Sequence, residues 1–484
     1  MIKALQSLRT LLLGTGYTLL SEDKPRRGIA TRLIGWPPVT IDPARETAWL
    51  DGLRGVAAFL VFTYHMNISW WAFYLEAPYG GYNHPWWDIW RFPLLRVFMC
   101  SGSAQVSVFF VLSGFVLSWG PFGALVNGQS EYDKLARTVG SATLRRWLRL
   151  YLPCFAVVFW ECLEFYFGVR DIPGKERKSS LLAQIWDFVV ASEKFASPFK
   201  IDRGPYDAIH EYEHTVWTIP YEFSGSLAVF ALLLAVGRMR RYSKRTIALS
   251  IMAGYALIMA QWSYCLFISG MLVADYVRQH DGFQGLSKTS VPSRMGWSGM
   301  LIIGLWLAGI PEKNAKYRRP GYEFLDSYIP SNWADVEGGE RFWWCWAGIL
   351  IIFSSCHLAS VRRIFETSFT RYLGRISFML YITHRVVLGL VGEPVRVGLL
   401  RTFGELQWSD DAQADLWVAP PLLTICIYLT HWAVSLPAVL FVAHWCEILI
   451  DGPSTRFARR VDDFFTKEAL PESHQGEELG RLPP

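Results

Sequence analysis

Leu50-Asp51-Gly52-Leu53-Arg54-Gly55-Val56-Ala57-Ala58-Phe59-Leu60-Val61-Phe62-Thr63-Tyr64-His65 is the stretch whose reading decides the fold. From Gly55 to Leu75 the chain carries no Asp, Glu, Lys or Arg, so His65 sits inside a hydrophobic run. Eleven residues of helix rise about 16 Å and make roughly three turns. Arg54 and His65 therefore face nearly the same side, the arginine at a membrane surface and the histidine near mid-depth. Ionisable groups at that depth are costly and tend to mark function. Histidine is also the side chain best suited to pass protons at neutral pH. Arg54 and His65 are the first candidates for catalysis.

Working outward, apolar runs of comparable length recur near 51–70, 103–121, 150–168, 218–236, 246–261, 262–278, 295–311, 342–360, 376–392 and 420–450. Each is close to the length that spans a bilayer. The chain of 484 residues is 52% hydrophobic and only 18% charged, against about 25% charged in soluble domains. Trp and Tyr crowd the run ends, as at Trp70-Trp71, Trp86-Trp87 and Trp343-Trp344, which is the interfacial aromatic belt. The fold expected is all-α, a polytopic membrane protein of ten transmembrane helices, with eleven as the alternative count. The ambiguity lies in Leu416–Cys446, which is free of Asp, Glu, Lys and Arg. It reads as one long helix kinked at Pro437.

Basic residues alternate between loops, so the net charge of +5 is topogenic and gives no nucleic-acid signal. Lys3 to Arg32, Lys134 to Arg149, Arg238 to Arg245, Arg362 to Arg375 and Arg456 to Arg460 would all be cytoplasmic. One membrane domain is expected over 49–452, between cytoplasmic segments at 1–48 and 453–484, the latter disordered in part. The first twenty residues read as a surface-lying helix, since Gly14, Gly16 and Arg9 make a poor signal peptide. The sequon Asn67-Ile68-Ser69 lies too near the membrane for glycosylation. Two longer loops, about 169–216 and 312–341, could cap a cavity, though loops of this length more often fold over the surface. The eight cysteines form no CxxC pair, so neither a zinc site nor a disulfide framework is suggested.

Other stretches could carry chemistry. Phe109 to Ser118 sets Ser113 and Gly114 among large residues, which reads more readily as close helix packing than as a site. Arg145, Arg146 and Arg149 precede an apolar run and are either topogenic or a phosphate platform. Glu222, in His214 to Ser226, starts an apolar helix and needs a partner or a job. It could orient His65 or pair with an arginine. His384 is a second deep histidine, whereas His357, His431 and His444 read as hydrogen-bonded structural residues. Neither GxSxG nor HxxxxD occurs.

Taken in order, Asp51–His65, Phe109–Ser118, Arg145–Pro153, Trp217–Ser226, Phe267–Asp275, Ser377–His384 and Asp451–Ser454 resemble the acyltransferase-3 family of polytopic membrane O-acyltransferases, in its fungal form. The resemblance covers about 50 to 460. It implies transfer of an acyl group, usually acetyl from acetyl-CoA, to an acceptor hydroxyl, with no metal. His65 matches the family's essential histidine and Arg54 its partnered arginine. Glu222 matches the glutamate of a Trp-Ser-Leu-x-x-Glu motif that reads Trp217-Thr218-Ile219-Pro220-Tyr221-Glu222 here. Arg145, Arg146 and Arg149 match the basic stretch expected near the CoA phosphates. The esterase-like domain attached to bacterial forms is not matched, which leaves direct transfer or a partner protein in play.

On this reading the acceptor site includes Trp217, Tyr221, Ser113 and His384, with Trp70, Trp71 and Phe73 as further aromatic walls. Such walls suit a hydrophobic fungal secondary metabolite, a terpenoid or polyketide, in the endoplasmic reticulum or another endomembrane. They also suit a stacked sugar, so O-acetylation of a cell-surface glycan or lipid is the alternative. A transporter or a haem-binding electron carrier is the reading from another class.

Overall fold

All ten apolar runs are mainly helical, though that at 342–360 is divided between two helices. The computed structural model describes residues 33–35, 45–80, 89–126, 132–197, 209–239, 241–288, 290–312, 318–409 and 414–466. In chain order the helices are α1 (Ala48–Glu76), α2 (Gly102–Val126), α3 (Tyr132–Tyr166), α4 (Leu181–Ala196) and α5 (Thr218–Val236). Then come α6 (Tyr242–Ile258), α7 (Trp262–Gln279), α8 (Gly282–Ser287), α9 (Val291–Ala308) and α10 (Glu340–His357). α11 (Ala359–Phe365), α12 (Ser368–Val387), α13 (Glu393–Phe403), α14 (Pro421–Cys446) and α15 (Gly452–Thr466) complete the series. The expected N-terminal surface helix and the tail after Thr466 fall outside the described residues.

Three stretches, Gly102–Leu125, His214–Val236 and Pro421–Thr466, are long and apolar enough to cross a membrane by length and composition. A fourth qualifies if Glu340–His357 and Ala359–Phe365, bent by 106°, count as one span. Other helices carry charge that the bundle hides. Arg245, read from sequence as part of a basic loop, is buried on α6 and donates to both carboxylate oxygens of Asp275 on α7, at 3.1 and 2.8 Å. A planar fork matched to a carboxylate is the geometry in which such a buried pair holds.

The apolar stretch from Leu416 divides where its prolines require. Ala414–Val418 pairs antiparallel with Glu405–Ser409, Glu405 opposite Val418, and the helix starts only at Pro421. Pro420 and Pro421 keep the preceding residues out of helical geometry, and a proline suits the first helical turn. From Pro421 the helix continues through Pro437 to Cys446, then through a π-turn at Glu447–Asp451 into α15.

α2 is the central helix, packed against α1, α5, α7 and α10. Its contact with α7 is backbone on backbone. A Cβ at Gly114 would lie 2.0 Å from the Phe267 carbonyl oxygen, and one at Gly270 would lie 2.1 Å from that of Val111. Small residues at such crossings let helices approach where no hydrophobic effect drives association. α1 lies along α12 and bridges the two buried apolar clusters. Leu53 and Ala57 join the cluster around α2 and α7, while Val61 and Phe62 join that of α3, α12 and α14.

Residues 169–197 of the longer loop fold against α3. Its helix α4 is capped by Ser180, which accepts from the Ala183 N–H at 3.3 Å, and buries Phe188, Ala191 and Phe195. Partial burial would raise the Asp187 carboxyl, but hydrogen bonds from Lys175, Tyr212 and Lys178 hold it down to about 2. Burial lowers His210 to about 4; its Nδ1 accepts from the Tyr212 N–H at 3.2 Å and its Nε2 lies 3.2 Å from the Ser192 hydroxyl. The signs agree. A histidine kept neutral when folded loses stability as pH falls from its ordinary 6.5 towards 4. A depressed carboxylate loses it as pH falls from 3.8 towards 2. Each group contributes a slope of at most about 1.4 kcal/mol per pH unit. Limited proteolysis within 169–197 is expected to accelerate progressively below pH 6.5. Cleavage rates that stay flat from pH 7 to 4 would contradict this assignment.

Candidate active site

A cleft of about 240 Å3 opens between α1, α2, α3, α5 and α12, and is lined by Arg54, Ser113, Arg146, Arg149, Glu222, Arg375, Ser377, Tyr381 and Asp451 among others. Four of its lining groups are guanidinium and three are carboxylate, counting Asp51, so its walls carry a net charge of +1. The apolar lining comes mainly from one side of α2, including Val106, Phe109, Phe110 and Leu117.

Arg54 is fixed by α12. Its Nε donates to Ser377 Oγ at 3.0 Å, its Nη2 donates to the Gly374 carbonyl at 3.0 Å, and Asp51 lies 3.5 Å away. Glu222, which the sequence offered to His65 or to an arginine, is held by Arg146. The carboxylate accepts from Arg146 Nη2 and, at 2.6 Å, from the Ser113 hydroxyl. Arg146 Nε also donates to Ser226 Oγ at 2.9 Å, and that hydroxyl donates to the Glu222 carbonyl at 2.6 Å. α3, α5 and α2 are thus tied by one half-buried network. Ser113 serves that network, while its neighbour Gly114 makes the contact with α7.

The three predicted donor arginines divide. Arg146 and Arg149 line the cleft, whereas Arg145 turns to α15 and lies 3.5 Å from Asp462. Arg375 enters the cleft in its place, from a position on α12 between Gly374 and Ser377. Sequence reading set it aside as topogenic charge. Its position two residues ahead of the Ser377 motif was the available signal.

His65 and His384 do not line the cleft; they meet each other. His384 Nε2 lies 3.1 Å from His65 Nδ1, and the ring centroids are 4.9 Å apart. Tyr381 links the two, since it lines the cleft beside Phe109, 5.9 Å away, while its ring lies 6.1 Å from His384. The Tyr381 hydroxyl donates to the Thr215 carbonyl at 2.9 Å and accepts from Thr218 at 2.8 Å. On the far side, Tyr64 touches His65 edge-on and lines a small hollow with Ile68, Ser101 and Trp344.

Trp217 and Tyr221 face away from the cleft into an aromatic cluster with Trp262, over which the Arg341 guanidinium sits at 4.4 Å. Trp70 donates to His431 Nδ1 at 2.8 Å, while the side chains of Trp71 and Phe73 lie outside the described ones. His357 stacks on Trp297 at 3.7 Å. Among the described residues no three His, Cys, Asp or Glu side chains converge to hold a metal ion.

The family model for an acyltransferase domain, acyltransferase-3, matches residues 47–440. The chain belongs to the acyltransferase-3 family. That match takes in α1 to most of α14, so the histidine pair and every residue lining the cleft except Asp451 lie within the acyltransferase domain. The chain is 28% identical over 378 residues to the O-acetyltransferase PaAT-1 of Phomopsis amygdali, covering 72% of this chain and 73% of that one. It is 25% identical over 395 residues to the acyltransferase R4 of a Phoma species, covering 71% and 82%. The acyltransferase clz18 of Cochliobolus lunatus is 23% identical over 391 residues, covering 70% and 82%. No solved structure is significantly similar. As an acyltransferase-3 member the protein is an enzyme that needs an acyl donor and an acceptor.

Proposed function

We propose that the protein transfers acetyl from acetyl-CoA to a hydroxyl of a small hydrophobic acceptor, a terpenoid or polyketide, within an endomembrane. The observation that carries this is the arginine-rich cleft ending beside a histidine pair. Guanidinium groups recognise phosphate bidentately. Arg149, Arg375 and Arg54 would hold the nucleotide end of the donor, with Arg146 braced by Glu222. Arg54 lies about 16 Å along α1 from His65, which suits a phosphate contact and is too far to steady the thioester carbonyl. The pantetheine arm would run along the α2 face and past Tyr381. The acceptor would approach from the Tyr64 side.

His65 would act as general base, taking the acceptor proton as its oxygen attacks the thioester carbonyl. The C–O bond forms, the C–S bond breaks, and the proton passes to the departing thiolate. The basic loops would face the cytosol, where acyl-CoA is available, with ten helices crossing the membrane around the single domain over 49–452. The name of the Phomopsis relative, an O-acetyltransferase, supports acetyl and oxygen as donor and acceptor classes.

The test is transfer of radiolabelled acetyl from acetyl-CoA in membranes, read with thiol release against a panel of hydroxylated terpenoids, polyketides and sugars. Label on a terpenoid or polyketide is the expected result, and label confined to sugars would replace the acceptor class. Arg149→Ala should raise KM for acetyl-CoA about tenfold, in keeping with the loss of one charge-assisted contact. It should leave a thioester lacking the nucleotide unaffected. Equal KM changes for both donors would overturn the placement of the phosphates.

A further inference from the structure

We infer that His384 is the positioning residue of the catalytic histidine, fixing the tautomer and the aim of His65; this rests on the proposed acyl transfer. The argument is one of hydrogen-bond bookkeeping. His384 is fully buried, and its Nδ1 faces the Tyr381 carbonyl at 2.7 Å and the Leu380 carbonyl at 3.2 Å. Carbonyl oxygens only accept, so Nδ1 carries the proton and Nε2 of the neutral ring is an acceptor. That acceptor lies 3.1 Å from His65 Nδ1, which also lies 3.0 Å from the Val61 carbonyl. Facing two acceptors, His65 Nδ1 must donate. The lone pair of His65 is thereby left on Nε2, which makes no hydrogen bond among the described residues. A base whose free nitrogen is dictated by its neighbour is ready for a proton from the acceptor hydroxyl.

The partner also answers the charge that develops. When His65 Nε2 takes the acceptor proton, its ring becomes an imidazolium, and the Nδ1–H bond to His384 becomes charge-assisted and stronger. The proton then leaves from the same Nε2 to the thiolate, and His384 keeps its own proton throughout. In hydrolases a carboxylate fills this place beside the base. Here Glu222 is committed to Arg146 and Ser113, and a neutral imidazole takes the role in a setting where a bare carboxylate would be costly.

Three variants measured with acetyl-CoA and a working acceptor test this. Glutamine places its carbonyl oxygen near the position of Nε2, asparagine stops short of it, and leucine offers no acceptor. His384→Gln should retain kcat within about tenfold, while His384→Asn and His384→Leu should lose about a hundredfold or more. KM for acetyl-CoA should be unchanged in all three, because His384 lies outside the donor cleft. Equal kcat for the folded Gln and Asn variants would overturn the inference, and so would losses appearing in KM alone. Should His384→Leu fail to accumulate, the Gln and Asn pair decides. Full activity in His384→Asn with none in His65→Ala sinks this inference alone. A wild type that transfers no acyl group, or a fully active His65→Ala, sinks the parent reading and takes this one with it.

Discussion

His65→Ala is expected to lower kcat for acyl transfer by about a thousandfold, within the range that a positioned general base contributes. The variant should still bind donor, because His65 is not among the residues that line the cleft and Arg54 is about three turns away along α1. Alanine is a good helix former, so α1 should persist. The direct structural cost is confined to His384 Nε2, an acceptor left without its 3.1 Å partner, at about 1–3 kcal/mol. Thiol release at saturating acetyl-CoA, with binding measured separately, reads the two effects apart. A variant within threefold of wild type would remove His65 as the base.

The second large effect is expected far from any reacting atom. A Cβ on Gly55 would lie 2.2 Å from the Gly374 backbone nitrogen, and one on Gly374 would lie 2.4 Å from the Asp51 carbonyl oxygen. Backbone cannot rotate aside as a side chain does. Ordinary contact starts at 3.4 Å, so even Gly55→Ala must push α1 from α12 by more than an ångström. The two helices run in register: Gly55 meets Gly374, and ten residues further along each, His65 meets His384. Gly55→Ala is therefore expected to fold with kcat reduced at least tenfold and donor KM little changed. Gly55→Val, adding two methyls against the same backbone, should cost more than the usual 1–3 kcal/mol of overpacking. Its monodisperse yield after extraction should fall to a small fraction of wild type. An active, well-expressed Gly55→Val would show that the contact does not set the register.

Much of this was legible in the sequence. That the protein is all-α followed from the recurring apolar runs, because a long apolar segment must satisfy its backbone within itself. Arg54, His65 and Glu222 stood out because charge inside such runs is rare. What the sequence could not carry was partner choice. Glu222 had an imidazole and an arginine as candidates, and only the packing of α3 beside α5 selects Arg146. The departure of Arg145 towards Asp462 depends on α15 lying along α3. Trp217 and Tyr221 carried no sign of facing Trp262 and Arg341, since an apolar helix all round has no marked inner face. The meeting of His65 with His384 spans 319 positions of chain, and periodicity within one helix says nothing at that range.

The ring of Tyr381, tethered at its hydroxyl and braced by Phe109, has one more implication. A thioester whose nucleotide end lies in an open basic cleft would meet water as well as alcohol, and water is by far the more abundant nucleophile. If the pantetheine arm fills the way past that phenol, solvent in the cleft should be kept from the histidines. Wasteful breakdown of the donor should stay slow until an acceptor reaches the other side, so the enzyme's economy resides in a tyrosine that takes no part in the bond exchange.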